Sequence, residues 1–371
     1  MSVTLTTTTN ILITGDLKNM QSANDLEAQV KHHLDNLRKL ITPTGLFLAS
    51  SINVETGYDK AWLRDNVYEA LAFEYADEWS IVKKDYHTLL DIFDKHIDKI
   101  NWATTNKPFE SWQFIHARYN PETLEEFWES WGNKQHDAIG AVLYKIAEYE
   151  LRGKSVLRNE KDRRTIQTLI YYVCNVEYWH DTDNGMWEEA EEVHASSIGA
   201  VLAGLKKWQE VGTMDVDQDA IDRGQKALDA LLPRESESKF TDLALLSLIY
   251  PYNIVSKEMG AKIVENLVYH LAKEKGVMRY KFDHYYNKNA DGYSEEAEWC
   301  FGLSWLAIAY KWLGDNDKAY EYLDKATATV TVDGKIPELY FSHSNEANEN
   351  TPLGWSESMY VVAIYEVNSL H

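Results

Sequence analysis

Apolar positions recur at helical spacing along most of the chain. Leu26, Val30, His33, Leu34, Leu37 and Ile41 share one face, and Thr42-Pro43-Thr44-Gly45 ends the pattern. The same periodicity predicts helices over 65–75, 81–100, 135–149, 165–179 and 193–208. Six more follow over 216–232, 241–249, 256–271, 295–312, 316–328 and 353–367, of which 241–249 is short and carries the weakest pattern. Strand alternation is sparse, so 277–282 and 328–332 are expected to be short hairpin arms at most. No linker rich in Pro, Gly or Ser divides the chain, and only the first residues are threonine-rich.

Twelve helices in series make six helical hairpins. Each hairpin exposes an apolar face that the next must cover, so a long array either covers its ends or closes on itself. The repeat is too degenerate for a regular solenoid. The expected fold is all-α, an (α/α)6 toroid formed as one domain by residues 21–371, after a flexible segment 1–20. An open helical stack is the alternative.

In a chain of up-down hairpins every even-numbered helix points the same way, so the loops before them share one end of the ring. Those loops hold the least core-like residues of the chain. Tyr58, Trp62, Arg64 and Asp65 precede the second helix, and Trp131, Gln135 and Asp137 the fourth. Trp187, Glu188 and Glu189 precede the sixth, Arg279 and Tyr280 the tenth, and Glu338 and Trp355 the twelfth. Trp offers a flat apolar face to the C–H face of a pyranose. Arg, Asp and Gln offer the directional hydrogen bonds that hydroxyls need, and Glu can move protons. Each residue also has a plainer reading. Arg64-Asp65 can be a surface ion pair, Asp137 a helix-start acid, each Trp a core ring, and the run 188–192 solvated first-turn acid. One shared pocket explains them together, whereas the plain readings must each hold independently.

Composition narrows the partners. The chain has 371 residues, 44% of them apolar and 26% charged, with a net charge of -22. Such a charge repels phosphate, which argues against nucleic acid or an anionic membrane and leaves a small neutral ligand unpenalised. Cys174 and Cys300 lie in apolar helical stretches and are expected to be reduced core thiols. The start of the chain lacks the basic and apolar regions of a secretory signal, so a cytoplasmic location is expected. No histidine pair has metal-ligand spacing, and no phosphate loop, nucleophile elbow or redox motif is present, so neither metal nor cofactor is expected.

The four motifs Ala61-Trp62-Leu63-Arg64-Asp65-Asn66, Trp131-Gly132-x-x-Gln135-x-Asp137, Gly185-Met186-Trp187-Glu188-Glu189 and Pro352-Leu353-Gly354-Trp355-Ser356 resemble, in order, those of the glucoamylase family, glycoside hydrolase family 15. That family includes the glucoamylase-like part of the phosphorylase kinase α and β subunits. The resemblance runs from about Gly45 to Val367. It implies an (α/α)6 barrel that removes a terminal α-linked glucose with inversion. By motif match Glu188 is implied as general acid and Glu338 as the base that activates water. Arg64, Asp65 and Arg279 would grip the terminal sugar, while Trp131, Gln135, Asp137, Trp187 and Glu189 would line the pocket. Departures are also visible. Nothing before Gln21 resembles the β-sandwich of bacterial members, no starch-binding module is appended, and Leu339 follows Glu338 where the family often has Gln.

The chemistry of glycoside cleavage agrees with this assignment. It requires a protonated acid at the leaving oxygen and a carboxylate across the ring, roughly 6.5–9.5 Å apart for inversion. Glu188 stands beside Trp187, an apolar neighbour that favours the neutral acid. An exo-acting α-glucosidase is the first reading, with short oligosaccharides preferred, because a closed pocket would have few outer aromatics beyond Trp131 to hold further sugars. A non-catalytic sugar-binding or regulatory module and a trehalase- or lyase-type chemistry on the same toroid are the alternatives.

Overall fold

The computed structural model describes residues 23–51, 56–129, 131–288 and 295–370. The segment 1–20, expected to be flexible, lies outside the described residues, as do Asp291 and Gly292 of the loop before the tenth predicted helix. The helices are α1 (Ala23–Arg38), α2 (Leu63–Tyr75), α3 (Trp79–Lys95), α4 (Ile97–Ala103), α5 (His136–Leu151) and α6 (Glu160–Asn175). They continue as α7 (Ala195–Val211), α8 (Gln218–Leu231), α9 (Lys257–Leu271), α10 (Phe301–Leu313), α11 (Asn316–Thr327) and α12 (Gly354–Asn368).

The hairpins close into a ring. α2 packs on α5, α5 on α7, α7 on the 3-10 segment Leu243–Leu248, that segment on α10, α10 on α12, and α12 back on α2. α1, α3, α6, α8, α9 and α11 pack around this inner ring. The fold is therefore the (α/α)6 barrel, not the open stack. Burial explains the two kinds of sequence pattern. In α2 every residue from Leu63 to Glu74 is buried, since an inner helix has neighbours on all sides. In α8 only Ala220, Ile221, Gly224 and Leu228 are buried, the single stripe of an outer helix. The inner helices approach closely where side chains allow it. A Cβ on Gly140 of α5 would lie 2.5 Å from the Ala200 carbonyl carbon of α7, so only glycine lets the backbones meet there.

Several predicted boundaries are corrected. The helix expected over 81–100 is two, α3 and α4, broken at His96, whose ring Nε2 pairs with the Leu124 carbonyl at 2.9 Å and ties the break to the following loop. The fifth predicted helix begins earlier, at Glu160, because the Asn159 side chain caps it by accepting from the Lys161 and Asp162 amides. The segment 241–249 is 3-10 rather than α, started by Asp242 accepting from the Ala244 amide at 2.8 Å. The tenth helix starts at Phe301 rather than Glu295, so Cys300 precedes it.

The residues before α10 form a strand, β3 (Glu298–Trp299), antiparallel to β4 (Leu339–Tyr340). A matching pair joins β1 (Ala61–Trp62), which leads into α2, to β2 (Arg118–Tyr119), which follows α4. The expected hairpin arms are not strands. Val277 alone bridges to Ala272 and Trp299, and the backbone after Ala328 turns without pairing as a strand. Both short sheets stand at the end where the inner helices begin, and they pin the loops that carry Trp62 and Glu338. Among the described residues no helix is long and apolar enough to cross a membrane.

Candidate active site

The loops that lead into α2, α5, α7, α10 and α12 surround a cavity of about 590 Å³ at one end of the ring. Tyr58, Trp62, Arg64, Asp65, Trp131, Trp187, Glu188, Glu189, Arg279, Glu338 and Trp355 all line it. Gln135 and Asp137, expected in its wall, do not. Arg64 Nη1 donates to Gln135 Oε1 at 2.8 Å and to Asp137 Oδ2 at 3.2 Å, so their acceptors fix the guanidinium rather than face the space in front of it. The longer Arg64 side chain reaches the wall, and the two residues at the start of α5 brace it from behind. Burial works against the Arg64 charge, but Asp137, Asp65 and Glu188 more than restore it.

Glu188 precedes a helix, as its place in the sequence suggested. It sits in the loop before α7 with φ 65°, a left-handed conformation that is uncommon for a side-chain-bearing residue and that concentrates at functional sites. The loop is closed by backbone pairing of Asp183 with Glu192 and by Asn184 Nδ2 donating to the Glu189 carbonyl at 2.6 Å. Beneath it Asp183 accepts from the His136 amide and the Ser197 hydroxyl, both at 2.8 Å, and pairs with His194 Nδ1 at 2.8 Å. Burial opposes a charged His194, but the bond to Asp183 raises its pKa to about 9, so a charge-assisted pair anchors the loop at neutral pH.

The Glu188 side chain keeps 24% exposure. Trp62 Nε1 donates to its Oε1 at 2.7 Å, and Arg64 Nη2 stands 3.7 Å away. Loss of water raises its pKa to about 7 against the pull of Arg64. Trp187, the expected apolar neighbour, lines the same cavity and is held by its Nε1, which donates to Asp242 Oδ1 at 2.7 Å.

Glu338 immediately precedes β4 and is 1% exposed. Tyr58 donates its hydroxyl to Oε1 at 2.7 Å, and Tyr285 lies 3.0 Å beyond, hydroxyl to hydroxyl. Asn348 and Asn350 both donate to Oε2, at 2.5 and 2.7 Å. Burial raises the Glu338 pKa, and the bonds from Asn350, Tyr58 and Asn348 offset only part of that rise. The two asparagines were not found from sequence. They return to Glu338 because the chain doubles back, with Ala347 bridging to Tyr340, and no short motif records that turn. Asn348→Leu removes a bond that favours the carboxylate, so the acidic limb of the activity profile is expected to move to higher pH. A kcat/KM profile measured from pH 3 to 9 checks this; an unmoved limb counts against Glu338 as the ionised base.

The remaining wall is built on Arg279. Asp283 grips it with both oxygens, at 2.6 and 2.7 Å, and its guanidinium lies 4.6 Å from the Trp299 ring and 5.0 Å from that of Tyr285. Glu189 accepts from Lys239 Nζ at 2.9 Å and from the Tyr280 hydroxyl. Trp299, Tyr285 and Asp283 also line the cavity and were not singled out from sequence. Trp299 had been assigned to a helix interior, and the true start of α10 is what frees it to face the site. Trp355, at the inner end, stacks on Phe301 with centroids 4.7 Å apart and rings 7° from parallel.

An (α/α)6 ring with two carboxylates, aromatic rings and hydrogen-bonding groups around one cavity defines the class of six-hairpin glycoside hydrolases. The profile of glycosyl hydrolases family 15 matches residues 31–364, and the chain belongs to that family. Among solved structures, a wild-type glycosidase superposes with a TM-score of 0.80 at 18% identity, covering 95% of this chain and 100% of its own. The glucoamylase from Saccharomycopsis fibuligera gives 0.67 at 15% identity, covering 93% of this chain and 95% of its own. At these identities the likeness is one of fold. Among curated proteins, a probable phosphorylase b kinase regulatory subunit alpha from Caenorhabditis elegans is 26% identical over 81% of this chain and 30% of its own length. The skeletal muscle isoform from Oryctolagus cuniculus is 25% identical over 89% and 32%. The chain thus spans under a third of the length of these curated relatives.

Proposed function

We propose that the protein is an inverting, exo-acting α-glucosidase that releases β-glucose from the non-reducing end of short α-gluco-oligosaccharides. The observation that carries this reading is a pair of carboxylates on two different loops of one cavity, each in an environment suited to a different task. Glu188, with a pKa of about 7, holds a proton near neutrality and gives it to the leaving glycosidic oxygen. Glu338 is held by three donors that favour the carboxylate, and its Oε1 takes a proton from water as the water oxygen bonds to the anomeric carbon. The two protons balance: one leaves with the released sugar, one arrives from water, and solvent exchange restores both groups. Arg64, Asp65 and Arg279 hold the hydroxyls of the terminal glucose, and the inner ring of helices closes the end of the pocket, so no chain continues past it. A neutral sugar suits a chain of net charge -22.

A second reading is favoured by one observation, that the curated relatives are regulatory subunits. A module of that kind would keep a sugar pocket without turnover. Both readings are tested by incubating the protein with maltose, isomaltose, panose and trehalose and following the reaction by proton NMR. The expected result is free glucose with an early excess of the β-anomer. An early α-excess overturns inversion, and saturable sugar binding without glucose release favours the regulatory module.

A further inference from the structure

Glu357, in the first turn of α12, is fully buried and does not line the cavity. Burying a carboxyl group costs stability unless polar partners replace the lost water, so its place in the interior calls for a reason. Its partners supply one. Oε1 accepts from the backbone amide of Ile336 at 2.9 Å and from Asn36 Nδ2 at 3.2 Å, and Oε2 pairs with His33 Nδ1 at 2.5 Å. His33 and Asn36 belong to the outer helix α1 and are themselves buried. Ile336 stands two residues before Glu338, with Pro337 between them. Proline fixes φ, so a hold on Ile336 is passed to Glu338 through a short, stiff link.

The strap 334–338 is gripped at further points. Asn36 Nδ2 also donates to the Gly334 carbonyl at 2.9 Å, and His32 Nε2 pairs with the same oxygen at 2.6 Å. Gly334 has φ 77°, and a Cβ there would lie 2.4 Å from His32 Nε2, so glycine is what lets the strap meet α1 so closely. The Ile336 carbonyl accepts from the Leu353 amide at 3.0 Å. At Glu338 itself the amide donates to the Asn350 carbonyl and the carbonyl accepts from the Cys300 amide, both at 3.0 Å. The backbone of the base is thus pinned on both sides, and Glu357 secures its entry.

We propose that Glu357, supported by His33 and Asn36, is a positioning residue for Glu338: it holds the strap so that the base keeps its place against the reacting water. The proposal rests on the glucosidase reading and on Glu338 as its base. Filling space at the start of α12 would need only an apolar side chain. A carboxyl group that takes a backbone amide from the strap and two side chains from α1 acts as a clamp between them.

The test measures kcat and KM for maltose and for α-glucosyl fluoride, a substrate that needs a base but little help from an acid. It compares the unmodified protein with Glu357→Leu, Glu357→Gln and Asn36→Ala. A misplacement of about 1 Å in a reacting group can cost about 10²-fold in rate, so Glu357→Leu is expected to lose about 10–10²-fold in kcat on both substrates. KM is expected to stay within about threefold, since the wall built on Arg64 and Arg279 is untouched. Glutamine keeps an acceptor for the Ile336 amide and is expected to retain most of the turnover. Asn36→Ala leaves Glu357 two of its partners and is expected to show the same loss on both substrates by a smaller factor, which keeps the proposal testable if the leucine variant does not fold. Leu228→Ala, in the buried stripe of α8, is the stability control: its Tm is expected to fall with kcat unchanged. Leucine and alanine variants that behave like this control, with a lowered Tm and full kcat, overturn the positioning role. So does a glutamine variant as slow as the leucine one, or a loss confined to maltose, which would place the effect on Glu188. Each of these leaves the glucosidase reading in place; release of neither glucose nor fluoride by the unmodified protein overturns both.

Discussion

Glu188→Gln is expected to lower turnover of an unactivated disaccharide by about 10²–10⁴-fold, the usual contribution of a positioned general acid. The amide keeps an oxygen for the Trp62 Nε1 donor and has nearly the same volume, so the loop and its left-handed backbone have no reason to change. What is lost is the proton. The same chemistry gives a diagnostic contrast. α-Glucosyl fluoride has a leaving group that departs with little protonic assistance, so the variant is expected to retain much of its activity on the fluoride while losing it on maltose. In the unmodified protein activity on maltose is expected to fall as pH rises through about 7, where the acid gives up its proton. That limb should be absent for the fluoride. A variant that keeps more than half its maltose turnover sinks the assignment.

Glu338→Gln is expected to lose a comparable factor on both substrates, because neither reaction proceeds without an activated water. The fluoride is thus the discriminating substrate: one variant keeps it and the other does not. The substitution replaces an acceptor held by Tyr58, Asn348 and Asn350 with a group that can accept through only one oxygen. Some local rearrangement and a loss of stability, read as a lowered Tm, therefore accompany the loss of activity. Binding of glucose by calorimetry separates the two effects: it should survive with affinity within about tenfold if the wall built on Arg64 and Arg279 is intact. Full fluoride turnover by this variant would remove Glu338 from the role of base.

Much of the site was legible because its residues come in short runs. Tyr58 to Asp65, Gly185 to Glu189 and Leu353 to Trp355 each lie within a single loop, and an up-down order of helices is enough to place those loops at one end. What the runs did not reveal is direction. Gln135 and Asp137 belong to such a run and still face Arg64 instead of the cavity, because the start of α5 packs behind α2. Trp299 was hidden by a helix boundary drawn six residues too early, since acidic residues such as Glu295, Glu296 and Glu298 ahead of an apolar stretch also read as the first turn of a helix.

By itself the sequence determined most of the helices and the clustering of Trp, Arg, Asp and Glu before every second one. These depend on residues a few positions apart, and helical periodicity and capping act over that distance. The tertiary structure decided the rest. Closure of α12 on α2 joins the two ends of the barrel. The pairing of Asn348 and Asn350 with Glu338 depends on a chain reversal, and Trp62 reaches Glu188 from another hairpin. Above all, the pKa of Glu188 is raised by the removal of water from a space enclosed by several hairpins. Desolvation belongs to the volume around a group and not to its neighbours along the chain, so only the folded ring can set the pKa of Glu188 apart in this way.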